Sequence, residues 1–228
     1  MSKTTIPSGG LGGGLPSSLT VGSAAAEDTK VVFDGNAQDY HIGLDDSADD
    51  LVIGKGSALG TTANIVIDEN GHVTKPLQTY VYASLSSDQT IDADDSDEKV
   101  TLDAELYDVN GDFNTSTNTF TAPVSGVYMV TAAWQFVEDL NSNITDVAMK
   151  LNASNGDEFV KFENPQALQV STGSEFKYYA NGSKIIYMDA NDTMYLEIDA
   201  YSGGSHTFKL NGGSNQRAET SMQIYLLG

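Results

Sequence analysis

Cysteine is missing from this chain of 228 residues, which excludes a disulfide framework and any cysteine-ligated zinc site. Long apolar runs are missing as well. No stretch approaches the roughly 20 apolar residues of a membrane-spanning helix, and the opening MSKTTIPSGGLGGGLPSS holds no apolar segment of signal-peptide length. We therefore expect no membrane insertion, and we expect synthesis in a cytoplasm without export by the usual route.

Basic residues are scarce. The sequence has 11 Lys and Arg against 32 Asp and Glu, which gives a formal net charge of -21. Such a charge repels nucleic acid and anionic membrane surfaces, and it favours solubility. We therefore expect no nucleic-acid partner.

Catalytic motifs are also lacking. The three histidines, His41, His72 and His206, do not stand at metal-ligand spacing from one another. No Gly-x-Ser-x-Gly element and no phosphate-binding Gly-Lys-Ser/Thr element occurs. The sequence therefore predicts a protein that is not an enzyme and that needs no cofactor, although its many carboxylates will form chance pairs.

Three segments of different composition follow one another along the chain. Residues 1–29 are rich in Gly, Ser, Pro and Ala, which is typical of a disordered or extended segment. We predict that they form an attachment arm, with a freely mobile tail as an equally weighted alternative. The arm residues best suited to contact a partner are Ile6, Pro7, Leu11 and Leu15.

The second segment, residues 30–76, contains short apolar runs separated by turn-rich clusters. The runs are VVF, YHIGL, DLVIG and NIVI. A β module of this size is marginal as a monomer, and it becomes stable if three copies wrap together or if it sits on a larger body. We predict a short β neck that ends at the junction marked by Pro76.

The third segment, residues 77–228, predicts one all-β domain of about ten antiparallel strands in a sandwich. Its runs are joined by turn signals such as SNGD, ANGS and NGGS, and no amphipathic helix of ordinary length is present. Alternation is clearest in TMYLEIDAY, which places Met194, Leu196, Ile198 and Ala200 on one face.

Two kinds of binding site are candidates. Asp108, Asn110 and Asp112 in DVNGD offer oxygen ligands on a glycine turn, which suits calcium, but a solvated turn is the favoured interpretation. The acidic runs DDSADD and DADDSDE could gather cations, and solvated loops are again favoured.

Surface aromatics, Tyr178 and Tyr179 with Trp134, could bind sugar or protein, although burial in the sandwich is favoured for Trp134.

One stretch of the third segment carries a recognisable spacing. In FNTSTNTFTAPVSGVYMV, Phe113 is followed after six residues by Phe120, and five residues later by Gly-x-Tyr at Gly126 and Tyr128. Asp108 precedes Phe113 by five residues. This spacing resembles the globular head of complement C1q, within the wider tumour-necrosis-factor-like jelly rolls, and MDANDTMYLEI and SMQIYLLG resemble the closing strands of that family. Leu102, Val130, Ala132 and Asn191 depart from its pattern.

The resemblance implies a jelly roll that forms a homotrimer through one of its sheets. Pro123 and Gly126 would turn the chain between two strands, and Tyr128 would point into the core from the second of them. Small residues near Ala132 would allow a neighbouring copy to approach. Ala132 and Trp134 are therefore the predicted trimer contacts.

The N-terminal third resembles fibre and appendage proteins of tailed bacteriophages, through VFDGNAQDYHIGLDDSADDLVIGKGS, IVIDENGHV and the opening IPSGGL. The two resemblances together imply a trimeric virion protein assembled in the host cytoplasm: a tail fibre or spike whose tip contacts a glycan or protein on the host surface. A trimeric capsid decoration protein, anchored to other virion proteins by its N-terminal arm, is the alternative.

Overall fold

The computed structural model describes residues 20–60, 62–139, 146–156, 162–163, 170–172, 175–201, 206–213 and 219–228. The predicted arm contacts at Ile6, Pro7, Leu11 and Leu15 lie outside these ranges. The chain divides into two compact units, Met1–Pro76 and Leu77–Gly228. Within the described ranges, no helix is long and apolar enough to cross a membrane.

The first unit contains one antiparallel sheet in which each strand pairs with the next along the chain. The strands are β1 (Thr29–Phe33), β2 (Tyr40–Asp45), β3 (Asp50–Lys55), β4 (Ala63–Ile67) and β5 (Val73–Thr74). Carboxylates shape the connections. Asp68, for example, accepts hydrogen bonds from the backbone N–H groups of Asn70 and His72, at 2.9 and 2.8 Å, in the turn that leads to β5.

The second unit contains fourteen strands within the described ranges. They are β6 (Tyr80–Ser84), β7 (Gln89–Asp92), β8 (Asp94–Lys99), β9 (Ala104–Asp108), β10 (Phe113–Asn114), β11 (Thr119–Thr121), β12 (Gly126–Asp139), β13 (Asp146–Ala153), β14 (Phe162–Glu163), β15 (Val170–Thr172), β16 (Glu175–Met188), β17 (Thr193–Tyr201), β18 (Thr207–Leu210) and β19 (Ser221–Leu226).

These strands form two antiparallel sheets around one apolar core. The first sheet has the order β10-β11-β17-β13-β14, with β8 paired to β17. The second, called here the β12 sheet, has the order β15-β16-β12-β19-β6-β9, with β18 on β12 and β7 on β18. An all-β sandwich is confirmed.

Alternating burial along β17 and β12 builds the core from both sheets. On β17 the four residues predicted to share a face, Met194, Leu196, Ile198 and Ala200, are at most 1% exposed, so that prediction is confirmed. On β12 the alternate residues Tyr128, Val130, Ala132, Trp134 and Phe136 are at most 3% exposed.

Two predicted loops are strands instead. ANGS, predicted as a turn, lies inside β16, whose fourteen residues pair one for one with those of β12. Because Asn181 and Gly182 lie opposite Ala133 and Ala132 within this continuous ladder, the strand partner overrides their local preference for a turn. Most of the acidic run DADDSDE forms β8, which pairs with β17.

Candidate assembly surface

Asp108 organises the turn between β9 and β10. Its Oδ1 atom accepts hydrogen bonds from the backbone N–H groups of Gly111 and Asp112, at 3.0 and 2.9 Å. Its Oδ2 atom accepts from the N–H of Phe113 at 2.9 Å. Gly111 has a φ of 74°, a left-handed conformation that glycine adopts at little steric cost. The carboxylate thus fixes the start of β10 and the position of Phe113.

The other predicted calcium ligands also have protein partners. Asp112 Oδ2 accepts from Thr79 Oγ1 at 3.1 Å and from Asn110 Nδ2 at 3.4 Å. Burial raises the pKa of the Asp112 carboxyl above its ordinary value, the charge of Asp108 adds to this effect, and the two hydrogen bonds oppose it. These contacts describe a hydrogen-bonded turn. Among the described residues, no three His, Cys, Asp or Glu side chains gather as they would around a metal ion.

The aromatic residues of the family spacing meet in the core. Phe113 pairs with Phe120 across β10 and β11, and Phe120 pairs with Met194 on β17. The rings of Phe120 and Tyr128 pack edge to face, with centroids 5.7 Å apart. Because Phe120 belongs to one sheet and Tyr128 to the other, this contact joins the two layers of the sandwich.

The turn between β11 and β12 contains Pro123 and ends at Gly126, as predicted. A Cβ atom on Gly126 would come within 2.9 Å of the Leu226 side chain and 3.1 Å of the Gly228 carbonyl oxygen. The neighbouring Val127 donates its N–H to that same Gly228 oxygen at 2.7 Å. A side chain here would press on Leu226 and Gly228, which favours glycine at this position.

The predicted trimer contacts are wrong. Ala132 and Trp134 are 2% and 3% exposed, because both point inward from β12 into the core of a single chain. The Trp134 ring stacks on Phe136, with centroids 5.1 Å apart. Burial of Trp134 was favoured over a binding role, and that preference is confirmed. Tyr178, predicted at the surface, is also buried and stacks on Phe136, whereas Tyr179 is exposed.

The outward face of the β12 sheet carries a different set of residues. Met129 lies opposite Ile185 on β16 and Tyr225 on β19. Tyr225 in turn lies opposite Tyr80 on β6. The ring of Tyr80 is 5.7 Å from that of Tyr107 on β9 and 6.2 Å from that of Tyr225. We call these five residues the apolar row.

The apolar row crosses five adjacent strands of one sheet and faces solvent. Ile185 is 63% exposed, Tyr107 50%, Met129 40% and Tyr225 39%, and Tyr80 is half-buried. Next to Ile185, Tyr187 adds another exposed ring at 54%. A contiguous apolar surface of this kind makes this face a candidate interaction site. Sequence reasoning chose the inward face of β12, although alternation alone allowed either face.

The outward side of the other sheet is polar. Lys150 Nζ lies 2.7 Å from Asp97 Oδ1 and 2.9 Å from Asp199 Oδ2. Burial lowers the pKa of Lys150, but its hydrogen bonds to both carboxylates outweigh burial and raise it. Sequence reasoning missed this cluster, since its members come from β13, β8 and β17 and β8 was taken for a loop.

Comparisons with known proteins identify a family for this chain. No curated protein sequence matches the chain. Among solved structures, the chain is similar to one titled "Globular Domain of Zebrafish Complement 1qA protein", at 16% identity and a TM-score of 0.43; the match covers 66% of this chain and 98% of that one. The C1q domain family model matches residues 82–213, more than half of the chain. The chain therefore belongs to the C1q domain family.

Proposed function

We propose that the protein is a homotrimeric structural protein of a tailed-bacteriophage particle, a fibre or spike whose C1q domain contacts the host surface. C1q domains are non-enzymatic recognition and structural modules that are commonly trimeric. The observation that carries the trimer is the apolar row, because it leaves the outward face of the β12 sheet without a cover in a single chain.

Electrostatics support the apolar row as the place where copies meet. Each chain carries a formal net charge of -21, so copies repel one another over most of their surface. The row itself consists of Ile, Met and three Tyr side chains and contains no Asp, Glu, Lys or Arg. Aromatic residues and Met are enriched in protein interfaces, where they supply large apolar contact areas. The electrostatic repulsion between two copies is therefore weakest where they meet along this row.

The host-contacting role uses surface that remains exposed beside the trimer contact. Tyr179 on β16 is 46% exposed, and Tyr201 on β17 is 49% exposed on the other sheet. Tyrosine provides a rigid ring and a hydroxyl group, which suit contact with a surface glycan or protein. The bacteriophage assignment rests on the N-terminal sequence resemblance, and the attachment role falls to residues 1–29.

A capsid decoration protein anchored by its N-terminal arm is the second candidate. In that case the N-terminal arm and neck bind the capsid, and the C1q domain is a solvated knob. The two candidates share the trimer and differ in the location on the particle.

The trimer is tested by mass photometry or light scattering on the full chain. We expect a mass three times the chain mass of 24.2 kDa. A stable monomer at micromolar concentration would contradict the proposal.

The particle role is tested by gold labelling of whole particles and by staining host cells with the labelled protein. Label on the tail together with stained cells supports the fibre or spike. Label on the capsid without staining selects decoration. Deletion of residues 1–29 is expected to leave the trimer intact and to abolish incorporation into particles, and unchanged incorporation contradicts the attachment role.

A further inference from the structure

We infer that one face of the N-terminal sheet is a second interface between copies of this chain, where the same face of each copy packs against the others. This inference rests on the proposed homotrimer and names the partner of a unit outside the C1q domain. It is carried by an apolar sheet face that the described residues leave uncovered.

The strand register defines that face. Directly opposed residues in an antiparallel sheet share a face, so Val31, Ile42, Ile53 and Ile65 lie together across four strands. We call the face that contains them the open face. Its positions are Thr29, Val31, Phe33, Tyr40, Ile42, Leu44, Leu51, Ile53, Lys55, Ile65, Ile67 and Val73.

The open face is apolar and exposed. Only Thr29 and Lys55 among its positions are polar, and both lie at strand ends. Seven of its large apolar side chains are between 39% and 60% exposed: Val31, Phe33, Tyr40, Ile42, Leu44, Leu51 and Val73. The largest apolar patch on a typical monomer is about 300–600 Å², and such patches are often functional. A face built almost entirely of such side chains indicates an interface.

The centre of the opposite face is already covered by the chain itself. His41 and Val52 on that face are 0% and 3% exposed. The loop after β3 folds over them: Gly56 accepts a hydrogen bond from His41 Nδ1 at 2.8 Å, and a Cβ atom on Gly43 would come within 2.8 Å of Leu59. The His41 ring leaves no room for a side chain at Gly54, where a Cβ atom would be 2.6 Å away. The centre of this face is thus covered within one chain, whereas the open face is exposed along its strands.

Copies of the chain are the occupants that the composition favours. The strand positions of the open face contain no carboxylate in a chain of net charge -21, so identical faces meet without the repulsion that governs the rest of the surface. The arm is a poor cover in cis, because residues 1–19 include many Gly and Ser and offer few large apolar side chains. A five-stranded sheet with one bare face also needs a second layer to be stable.

Single-cysteine labelling of the full chain tests the inference, since the natural sequence has no cysteine. Val31→Cys and Val32→Cys are a matched pair: adjacent valines on β1 that are 42% and 37% exposed and point to opposite faces. A maleimide reagent is added to each variant, and light scattering gives its oligomeric state. We expect Val31→Cys to react at least about tenfold more slowly than Val32→Cys in the assembled chain, because only an accessible thiolate reacts. In denaturant the two rates should be equal.

The other outcomes separate the two proposals. Equal, fast labelling of both variants in a trimeric chain overturns this inference and leaves the trimer standing. Fast labelling of both in a monomeric chain overturns both. Slow labelling of Val31→Cys in a monomeric chain shows that the same chain covers the open face, and it overturns the inference. The inference is also overturned if deletion of residues 2–19 removes the protection while the chain stays trimeric. The variant Ile42→Cys, at a more central position of the open face, repeats the test.

Discussion

The hydroxyl group of Tyr128 donates a hydrogen bond to the main-chain carbonyl oxygen of Val124, 2.7 Å away, across the turn that joins β11 to β12. The tyrosine is completely buried, and its ring packs against Phe120 of the other sheet. Burial raises the pKa of Tyr128, and the nearby charge of Asp112 acts in the same direction. One side chain therefore fixes a turn, a strand and the contact between the two layers.

Removing only the hydroxyl group isolates the turn. We expect Tyr128→Phe to lower the free energy of unfolding by about 1–3 kcal/mol, because the ring still fills the core and the Val124 carbonyl loses its partner. Denaturant unfolding of the variant and the natural chain measures this difference. Tyr179→Phe, at an exposed position, is the control and should change stability by less than about 0.5 kcal/mol. Equal effects of the two substitutions would show that the Tyr128 bond does not hold the turn.

A charge placed in the apolar row should separate the copies. Met129→Glu puts a carboxylate in the row between Ile185 and Tyr225, where a trimer contact would have to bury it without a partner. We expect this variant to be folded by circular dichroism and to have a smaller mass by light scattering. Val124→Glu is the matched control, since Val124 is 46% exposed, close to the 40% of Met129, and lies in a turn outside the row. A trimer that survives Met129→Glu would exclude the row as the interface.

The sequence could predict the elements whose signals are local. Alternation in TMYLEIDAY predicted the buried face of β17, and Pro123 with Gly126 predicted the turn before β12. The family resemblance carried by the spacing from Phe113 to Tyr128 implied the jelly roll. These features depend on residues that are close together in the chain. A sandwich of about ten strands was expected, and the described residues of the second unit form fourteen. The additional strands include β10 and β14, whose two residues each are too few to produce a periodic pattern.

The remaining features depend on partners that are distant in the chain. β8 has a loop-like acidic sequence, and it becomes a strand because β17 lies beside it. Choosing between the two faces of β12 needs the other sheet, which covers Ala132 and Trp134 and leaves Met129 exposed. The sequence placed the expected contacts on the face of β12 that points into the core, because alternation does not say which side of a sheet faces the core.

Calcium should have no effect on the turn at Asp108. Both oxygens of Asp108 accept backbone hydrogen bonds, and Asp112 is bonded to Thr79. We expect no heat in a calcium titration and no shift in melting temperature. Asp108→Ala should instead destabilise the chain by about 1.5–3 kcal/mol, since it removes a charged acceptor from three N–H groups. Asp92→Ala, at an exposed position, is the control. A melting temperature that rises with calcium in the natural chain and not in Asp108→Ala would restore the metal site.

Two carboxylates in the second unit should respond to pH with opposite signs. Burial raises the pKa of Asp112 above the ordinary value of 3.8, so its contribution to stability is fully present below pH 3.8 and is lost as pH rises through the folded value. Burial also acts to raise the pKa of Asp103, but two hydrogen bonds from Ser86 outweigh burial and lower it. The contribution of Asp103 is therefore present above pH 3.8 and is lost as pH falls through its lower folded value.

Each carboxylate is tested by its amide variant, through denaturant unfolding at a series of pH values. Relative to the natural chain, Asp112→Asn should gain stability as pH rises through the window above 3.8, because the variant has no charge to desolvate. Asp103→Asn should lose relative stability as pH rises through the window below 3.8. Each variant is thus the control for the other. The free energy of unfolding of each variant is compared with that of the natural chain at every pH. If the two differences changed in the same direction with pH, the opposite pKa shifts of Asp112 and Asp103 would be contradicted.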